Sequence, residues 1–261
     1  MLSCVEHPNI VKMIGYCDKG EDHIIVYEFM PLRSLNLHLH DLKPGKKPLD
    51  WKTRMKIAEG VAQALEYLHY QKDPPVICCN LKASGILLDE DYKPKLSDFC
   101  SAQLGLTWKY SPVKSGIMLT FGYGAPEYAL CGKLTSKSDI YSFGVVLLEL
   151  MCGRKAIDGT ITNWSGERNI VSWARPFLSE SKFLQLADPL MKGQYPYRGL
   201  VQALGLAKMC VQEEPRNRPL TAEVVTTLSN IVSQTYEEAC GTSEADPLTS
   251  STMVHRPLAV A

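Results

Sequence analysis

The sequence lacks an excess of charge of either sign, because Lys and Arg together number 28 and so do Asp and Glu. A balanced chain presents no broad basic surface, so the composition argues against nucleic acid as a partner. A long apolar run is also missing, since the most hydrophobic stretch, residues 140–152, contains Ser142, Gly144 and Glu149. About 20 apolar residues are needed to span a bilayer, so we expect no direct membrane insertion.

Cysteine patterns that bind metals or form disulfide frameworks are absent as well. The nine cysteines include no CxxC pair and no Cys/His ligand spacing. The N-terminal sequence MLSCVEHPNI has no basic region followed by an apolar segment, and its second residue is Leu2 rather than glycine. The sequence therefore predicts a cytoplasmic protein with reduced thiols, without a signal peptide or a myristoyl group.

What is present begins with two β-rich segments, IVKMIGYC (10–17) and HIIVYEF (23–29), which predict strands separated by a polar turn. A short helix is predicted from about Ser34. After Asp50, a suitable N-cap, apolar residues recur at helical spacing as far as Leu68.

Further along, an almost wholly apolar helix is predicted to begin at Ser138 and to end at Gly153. Two amphipathic helices are predicted at 200–211 and 221–234. The stretch 101–135 shows no clear period, and the residues from Tyr236 onward are polar and aperiodic, which predicts a disordered tail.

Residues 74–90, PPVICCNLKASGILLDE, form a polar turn between two apolar runs, and with KPKLSDFC (93–100) they predict a hairpin. Loops held between buried strands are where reactive groups are usually positioned. The positions that would carry chemistry, however, hold Cys-Cys-Asn and a glycine.

Several stretches, taken in order, resemble the motifs of protein kinases. The details HPNIVKMIGYC, LDWKTRMKIA and ALEYLH are most similar to plant receptor-like kinases, particularly the receptor-like cytoplasmic kinases. The matching segments are VICCNLKASGILL at the catalytic loop (in plants often YRDLKxSNILL), LSDFC at the metal-binding DFG, GYGAPEY at the APE segment, SDIYSFGVVLLEL at the central helix and EEPRNRP at the arginine that partners the APE glutamate.

This resemblance implies an α+β, protein-kinase-like fold that consists mostly of the helical C-lobe, with a remnant of the N-lobe sheet. Residues 1–30 would be the N-lobe remnant, comprising the end of helix αC, two strands and the hinge. Residues 31–235 would be the C-lobe and 236–261 the disordered tail. In the family the Gly-rich loop, the strand lysine and the αC glutamate all precede the position of Met1, and we expect them to be missing. An isolated two-stranded hairpin is marginal in water, so we also expect apolar surface to be exposed at Ile10, Val11, Ile14, Ile24, Ile25 and Val26.

The resemblance also assigns catalytic positions, and two of them are altered. Asn80 occupies the position of the aspartate that accepts the substrate hydroxyl proton, and a neutral amide is not a useful base near pH 7. Loss of a general base costs on the order of 10²–10⁴-fold in rate. Gly85 replaces the metal-binding asparagine and offers no side-chain oxygen to Mg²⁺. Asp98, the remaining metal ligand, is retained.

Two further replacements affect the same region. Cys79 stands where the family has an arginine that grips a phosphorylated activation loop. Cys100 replaces the glycine of the DFG motif and removes its backbone freedom. Lys82 is retained, either to neutralise the transferred phosphate or simply as a solvated loop lysine.

ATP and Mg²⁺ are the cofactors that the resemblance implies, and we expect their binding to be weak or absent. Glu28 and Met30 belong to a segment that resembles the hinge whose backbone meets adenine, although these residues could equally form an edge strand. Without the Gly-rich loop and strand lysine, only the hinge backbone and Asp98 would contact the nucleotide and its metal.

Three residues are expected to serve the architecture. Glu127 and Arg218 resemble the buried ion pair that attaches the activation segment to the helical lobe. Asp139 would hydrogen-bond the backbone of the catalytic loop, or would be an ordinary acid in the first turn of its helix.

Three functions remain open from the sequence. The first is a docking or regulatory pseudokinase that binds signalling proteins such as receptor-like kinases and is recruited to the plasma membrane only through them. The second is an active Ser/Thr protein kinase, with ATP-dependent phosphoryl transfer, represented by a truncated sequence. The third is a decayed gene product without a function.

Overall fold

The helices of the computed structural model form most of one lobe, to which a small amount of β-structure is attached. The model describes residues 5–19, 22–97, 103–104, 120–132, 134–160 and 168–241. The helices are α1 (Asn36–Leu39), α2 (Trp51–Glu66), α3 (Pro126–Cys131), α4 (Ser136–Cys152), α5 (Ile170–Ser179), α6 (Tyr197–Cys210) and α7 (Thr221–Gly241).

The strands are short and form three small antiparallel sheets. Strand β1 pairs with β2, β5 lies between β3 and β6, and β4 pairs with β7. The strands are β1 (Met13–Lys19), β2 (Asp22–Tyr27), β3 (Arg33–Ser34), β4 (Val76–Ile77), β5 (Ile86–Leu88), β6 (Pro94–Leu96) and β7 (Gln103–Leu104). The pairing of β5 with β6 confirms the predicted hairpin.

Helix α4 runs through the centre of the core. Every residue of α4 from Ser138 to Cys152 is buried, as its uniformly apolar sequence predicts. The helix begins two residues before the predicted start, because Thr135 and Ser138 form a reciprocal capping box. It ends at Gly153, whose φ of 65° is the left-handed conformation that glycine adopts without strain.

A buried ion pair connects Arg54 of α2 with Asp188, which lies between α5 and α6. The Arg54 side chain is 1% exposed, and its guanidinium donates to Asp188 at 2.6 Å and to the carbonyls of Leu49 and Leu150. Because all of its partners are buried acceptors, the charge is compensated inside the lobe.

The other predicted helices are confirmed with shifted ends. Asp50 caps α2, accepting from the Thr53 N–H at 2.8 Å. The helix predicted from about Ser34 begins at Asn36, since Ser34 belongs to β3. The sequence did not predict α5, because Pro176 lies within it and proline is unfavourable inside helices.

Helix α7 passes the predicted boundary of the helical lobe at residue 235 and continues to Gly241. Residues 236–241 are therefore helical rather than part of a disordered tail. Residues 242–261, the rest of the predicted tail, lie outside the described residues.

Residues 5–11 are docked on the helical lobe. The Leu96 N–H donates to the Asn9 carbonyl at 2.8 Å, and the Val11 N–H donates to the Leu96 carbonyl at 2.9 Å. The Asn9 side chain is buried and donates to the Pro94 carbonyl at 2.9 Å. The expectation that Ile10 and Val11 are exposed is wrong, because this extra pairing against β6 buries both side chains.

The outer parts of the same segments are exposed, as expected. The exposed side chains are Ile14 (65%), Ile24 (53%), Ile25 (43%) and Val26 (48%). They lie on β1 and β2, which form a separate two-stranded sheet.

Gly60 on α2 sets how closely residues 5–11 approach the lobe. A Cβ at Gly60 would lie 2.6 Å from the side-chain nitrogen Nδ2 of Asn9 and 2.6 Å from Pro94 Cγ. We expect overpacking in Gly60→Ala to cost roughly 1–3 kcal/mol, which the helix propensity of alanine offsets by up to about 1 kcal/mol, with faster hydrogen exchange at residues 9–11. Urea unfolding and hydrogen exchange measure the two effects.

Gly205→Ala on α6 is the matched control, because a Cβ at Gly205 would meet nothing within 4 Å. That variant should gain up to about 1 kcal/mol from helix propensity alone. Equal stabilisation by both substitutions would contradict the tight contact at Gly60.

Candidate active site

The loop that follows β4 is held by the carboxylate of Asp139. One carboxylate oxygen accepts the Cys78 N–H at 2.8 Å, and the other accepts the Cys79 N–H at 2.9 Å. Asp139 is 1% exposed, so these hydrogen bonds form in a site from which water is excluded. Asp139 therefore does more than complement the helix dipole at the start of α4.

His69 completes this anchor from the turn that continues α2. Its Nε2 lies 2.8 Å from the Asp139 carboxylate, and its Nδ1 lies 2.8 Å from the Thr221 hydroxyl at the start of α7. One buried carboxylate thus connects the loop with α4, and the imidazole extends the connection to α2 and α7.

Cys79 has a left-handed backbone conformation, with φ of 66°. This conformation is uncommon for a residue other than glycine and costs of order 1–3 kcal/mol, so it persists only where the surroundings impose it. The hydrogen bond from its N–H to Asp139 is part of that constraint. The resulting turn directs the chain into Asn80.

Asn80 is half-buried, and its side-chain oxygen accepts a hydrogen bond from the Thr120 hydroxyl at 2.8 Å. The contact joins the loop to the segment that leads into α3. A carboxylate here could accept a proton from a substrate hydroxyl, whereas the amide can orient a hydroxyl but cannot take its proton.

Gly85 ends the 3-10 turn of Ala83–Gly85 and is buried. Its carbonyl oxygen accepts both the Ser97 N–H at 2.8 Å and the Ser97 hydroxyl at 2.9 Å. The position therefore has no side-chain oxygen, and its backbone oxygen is already occupied by Ser97. These residues do not fit the second Mg²⁺ ion of a kinase.

The side chain of Cys79 packs in a small apolar cluster with Ile77 and Leu134, against which Tyr128 is partly buried. An apolar cluster of this kind provides no positive charge for a phosphate group. Lys82 is half-buried in the same loop, and its carbonyl accepts the Gly85 N–H at 3.0 Å. Asp98 and Cys100 lie outside the described residues.

Residues 28–30 follow β2 as a connecting segment. Both carboxylate oxygens of Glu28 contact the Lys95 ammonium, at 2.8 and 2.7 Å, and one also accepts the Lys12 N–H. Burial acts to raise the pKa of Glu28, but these hydrogen bonds outweigh it and hold the pKa below its ordinary value. Met30 is buried, and its carbonyl accepts the Arg33 N–H at 3.1 Å.

Glu127 and Arg218 form a two-pronged ion pair between α3 and the turn before α7. The Arg218 nitrogens lie 2.8 and 2.7 Å from the two carboxylate oxygens, and the Arg218 side chain is fully buried. Arg218 also donates to the carbonyls of Lys137, Gln212 and Glu213. Burial acts to raise the pKa of Glu127, but hydrogen bonds, chiefly from Arg218, outweigh it and lower the pKa.

Sequence reasoning missed a second buried anchor, near the end of α4. The carboxylate of Glu149 on α4 accepts hydrogen bonds from the Tyr123 hydroxyl at 2.8 Å and from the Ala156 N–H at 3.0 Å. His40 Nε2 lies 3.0 Å from the same carboxylate. Burial next to this carboxylate raises the pKa of Tyr123. The one available signal was the acid itself, since Glu149 interrupts an otherwise apolar helix.

Thr120 and His69 were missed too, each for its own reason. Thr120 lies in the stretch without periodicity, so no local pattern marks its contact with Asn80. His69 lies at the end of an amphipathic stripe and has the pattern of an ordinary core residue.

The loop anchored on Asp139 and the Glu127–Arg218 pair define a site whose class can be assigned by sequence comparison. The family model of protein tyrosine and serine/threonine kinases matches residues 1–228. The chain belongs to this protein kinase family, and its fold is the α+β kinase fold that the sequence predicted.

The particular relatives are plant kinases. The chain is 59% identical over 238 residues to the probable serine/threonine-protein kinase PBL7 of Arabidopsis thaliana, covering 91% of this chain and 62% of PBL7. It is 56% identical to the Arabidopsis serine/threonine-protein kinase PBS1, covering 91% of this chain and 52% of PBS1. The chain thus spans between half and two thirds of the length of these relatives.

Two other structural findings bear on the site. None of the helices in the described ranges combines the length and apolar character needed to cross a membrane. In the same part of the chain, no three His, Cys, Asp or Glu side chains come together as a metal site.

The Glu127–Arg218 pair generates a pH-dependent prediction. The pKa of Glu127 is lowered in the folded state, so its contribution to stability is complete above the ordinary pKa near 4.5 and is lost as pH falls through the lowered value. We expect Glu127→Gln to destabilise the protein at neutral pH by somewhat less than the roughly 3–5 kcal/mol of a fully buried pair. The difference from the parent should shrink below pH 4.5.

Glu213→Gln is the control, because its carboxylate pairs with Arg175 at the surface, where the two side chains are 66% and 57% exposed. That change should stay within about 0.5 kcal/mol at every pH. Chemical unfolding across the pH range provides the comparison. A Glu127→Gln effect that is constant with pH would contradict the assigned role of the carboxylate.

Proposed function

We propose that this protein is a kinase-fold signalling protein that does not transfer phosphate and acts as a docking or regulatory pseudokinase, in pathways of plant receptor-like cytoplasmic kinases. The observation that carries the proposal is the state of the catalytic loop. Asn80 stands at the base position with its oxygen engaged by Thr120, and Gly85 stands at the metal position with its carbonyl engaged by Ser97.

Each change removes a different contribution to phosphoryl transfer. An amide at Asn80 removes the general base, which alone costs roughly 3–5 kcal/mol of barrier. Glycine at position 85 removes a ligand for a metal ion that would neutralise charge on the phosphates. Neither change depends on where the chain begins.

The catalytic loop is altered only in its reactive groups, whereas the buried residues that position it are retained. Asp139, His69 and the Glu127–Arg218 pair are all buried or partly buried and fully engaged. Buried polar groups that lose partners cost several kcal/mol, so their retention favours a protein that is kept folded over a decayed gene product. A helical lobe that folds but does not transfer phosphate is suited to binding other proteins.

Signalling proteins, including receptor-like kinases, are the partners that this role requires. The protein would act in the cytoplasm and would reach the plasma membrane through those partners. The similarity to plant serine/threonine kinases supports a role in kinase signalling.

Nucleotide binding by the 261-residue chain should be weak or absent. A ligand that saturates a protein at about 100 times its Kd adds roughly 2.7 kcal/mol of stability, which raises the melting temperature by several degrees. We expect millimolar ATP·Mg²⁺ to change the melting temperature by less than about one degree. A clear shift with ATP·Mg²⁺ that is absent with ATP in excess EDTA would contradict this.

A repair experiment tests the loss of catalysis directly. The repaired chain carries Asn80→Asp, Gly85→Asn, Cys79→Arg and Cys100→Gly. Both the repaired and the unrepaired chains are made alone and behind the Gly-rich loop, strand lysine and αC helix of a related active kinase. We expect phosphate transfer to a peptide only from the repaired fusion, because positioning of the phosphates and the loop chemistry are both required.

The unrepaired fusion provides the decisive comparison. Its activity should be lower than that of the repaired fusion by at least the 10²-fold expected for a missing base. Similar activity of the two fusions would show that Asn80 and Gly85 are tolerated. The pseudokinase proposal would then be wrong, and the retained Lys82 would support the second candidate, an active Ser/Thr kinase.

A further inference from the structure

The docking of residues 5–11 on the helical lobe depends on one asparagine, which a nearby histidine holds in place. The Asn9 N–H donates to Nδ1 of His7 at 3.1 Å. The Asn9 carbonyl accepts the Leu96 N–H at 2.8 Å, and its side-chain nitrogen donates to the Pro94 carbonyl at 2.9 Å. Asn9 is 4% exposed, so its N–H has no ready access to water when His7 does not accept it.

The hydrogen bond between Asn9 and His7 determines the charge of the imidazole. A backbone N–H can only donate, so Nδ1 of His7 is an acceptor and the ring is neutral, with its proton on Nε2. Both ring nitrogens of an imidazolium are donors, and the bond therefore cannot form with a charged ring. The ring also stacks on Tyr67, in the turn that continues α2, with ring centres 5.0 Å apart.

The surroundings of His7 favour the neutral ring as well. Partial burial lowers the pKa of His7 below its ordinary value of 6.5, and the charge of Lys93, between β5 and β6, lowers the pKa further. A second cation approaches from the turn that continues α2, where the Lys72 ammonium lies 5.7 Å from the centre of the Tyr67 ring.

Acidic groups around His7 do not offset these cations. The shallow groove that His7 lines also contains four charged side chains, which are Glu6, Lys12, Glu28 and Lys95. Both carboxylate oxygens of Glu28 contact Lys95, so the charge of Glu28 is already compensated. Glu6, in the same segment as His7, is exposed to solvent, where its charge is screened.

We propose that His7 is a pH-sensitive switch, in which protonation of the imidazole releases Asn9 and loosens residues 5–11 from the helical lobe. Once Nδ1 carries a proton, it faces the Asn9 N–H as donor to donor, and a buried backbone group loses its partner. Because Asn9 also carries the contacts to β6, its displacement weakens those contacts. Val5, Ile10 and Val11, which are buried when the segment is docked, become more exposed.

The direction of the response follows from the lowered pKa. The docked state binds the proton less readily than the released state, in which the imidazole has its ordinary pKa near 6.5. Docking is therefore complete above pH 6.5 and weakens as pH falls through 6.5 towards the lowered pKa. At acidic pH, each unit by which the pKa is lowered changes the docking equilibrium about tenfold. The inference does not depend on whether the protein transfers phosphate.

Hydrogen exchange of the 261-residue chain between about pH 7.5 and about pH 5 tests the proposal. Protection factors, which correct for the intrinsic effect of pH on exchange, are compared at the Val11 and Leu96 amides, which bridge residues 5–11 and β6. We expect these protection factors to fall by about threefold or more on acidification, while those of the buried helix α4 change by less than about twofold.

His7→Asn removes the titrating group and retains an acceptor. An asparagine side chain can accept the N–H two residues later, as in an Asx turn, and it does not charge. We expect this variant to show no selective loss of protection at Val11 and Leu96 on acidification. His38→Asn is the matched control, because His38 is also half-buried but contacts the Leu32 carbonyl. That variant should respond to acid as the parent does.

An NMR titration of the His7 ring in the parent gives a second measurement, which does not depend on the variants. The midpoint should lie below the ordinary value of 6.5, and a midpoint at or above 6.5 would overturn the proposal. An acid response that persists in His7→Asn would assign the response to another group. Protection at Val11 and Leu96 that is unchanged down to about pH 5, or that falls equally in α4, would show that no local switch exists.

Discussion

The buried carboxylate of Asp139 is the interaction on which the arrangement of this lobe depends. It accepts two consecutive backbone N–H groups from the catalytic loop and contacts His69 Nε2, all in a buried site. Replacing it by an apolar residue would leave two backbone donors unsatisfied at a strained turn. Since α4 is buried all round, the carboxylate has a fixed position, and the loop takes its conformation from it.

The buried residues that hold the fold together, which we call the frame, and the residues at the catalytic positions have separate physical requirements in this protein. The frame needs buried groups that satisfy one another, as Arg218 and Glu127 do, or Arg54 and Asp188. The chemistry needs side chains of the right acidity and charge, and those are the ones replaced at Asn80, Gly85 and Cys79. A frame of this kind can keep a surface for partners after the reactive groups have changed, because folding does not depend on them.

The sequence predicted the fold from two kinds of signal. Periodicity identified α2, α6 and α7, since their apolar residues repeat at helical spacing over ten residues or more, and a continuous apolar stretch ended by Gly153 identified α4. Ordered motifs identified the hairpin of β5 and β6 and the positions of Asn80 and Gly85. The signal failed at α5, where Pro176 interrupts the pattern, and at Ile10 and Val11, which are buried by pairing with a strand more than 80 residues away along the chain.

By itself, then, the sequence determined which residue types occupy the catalytic positions, because an amide or a glycine has the same chemical limits in any surroundings. It also determined the helical core, since hydrophobic period is a local property. Only the tertiary structure decided what those residues contact: that Thr120 engages Asn80 and that Ser97 occupies the Gly85 carbonyl. Such contacts join residues distant along the chain, and no local pattern encodes them.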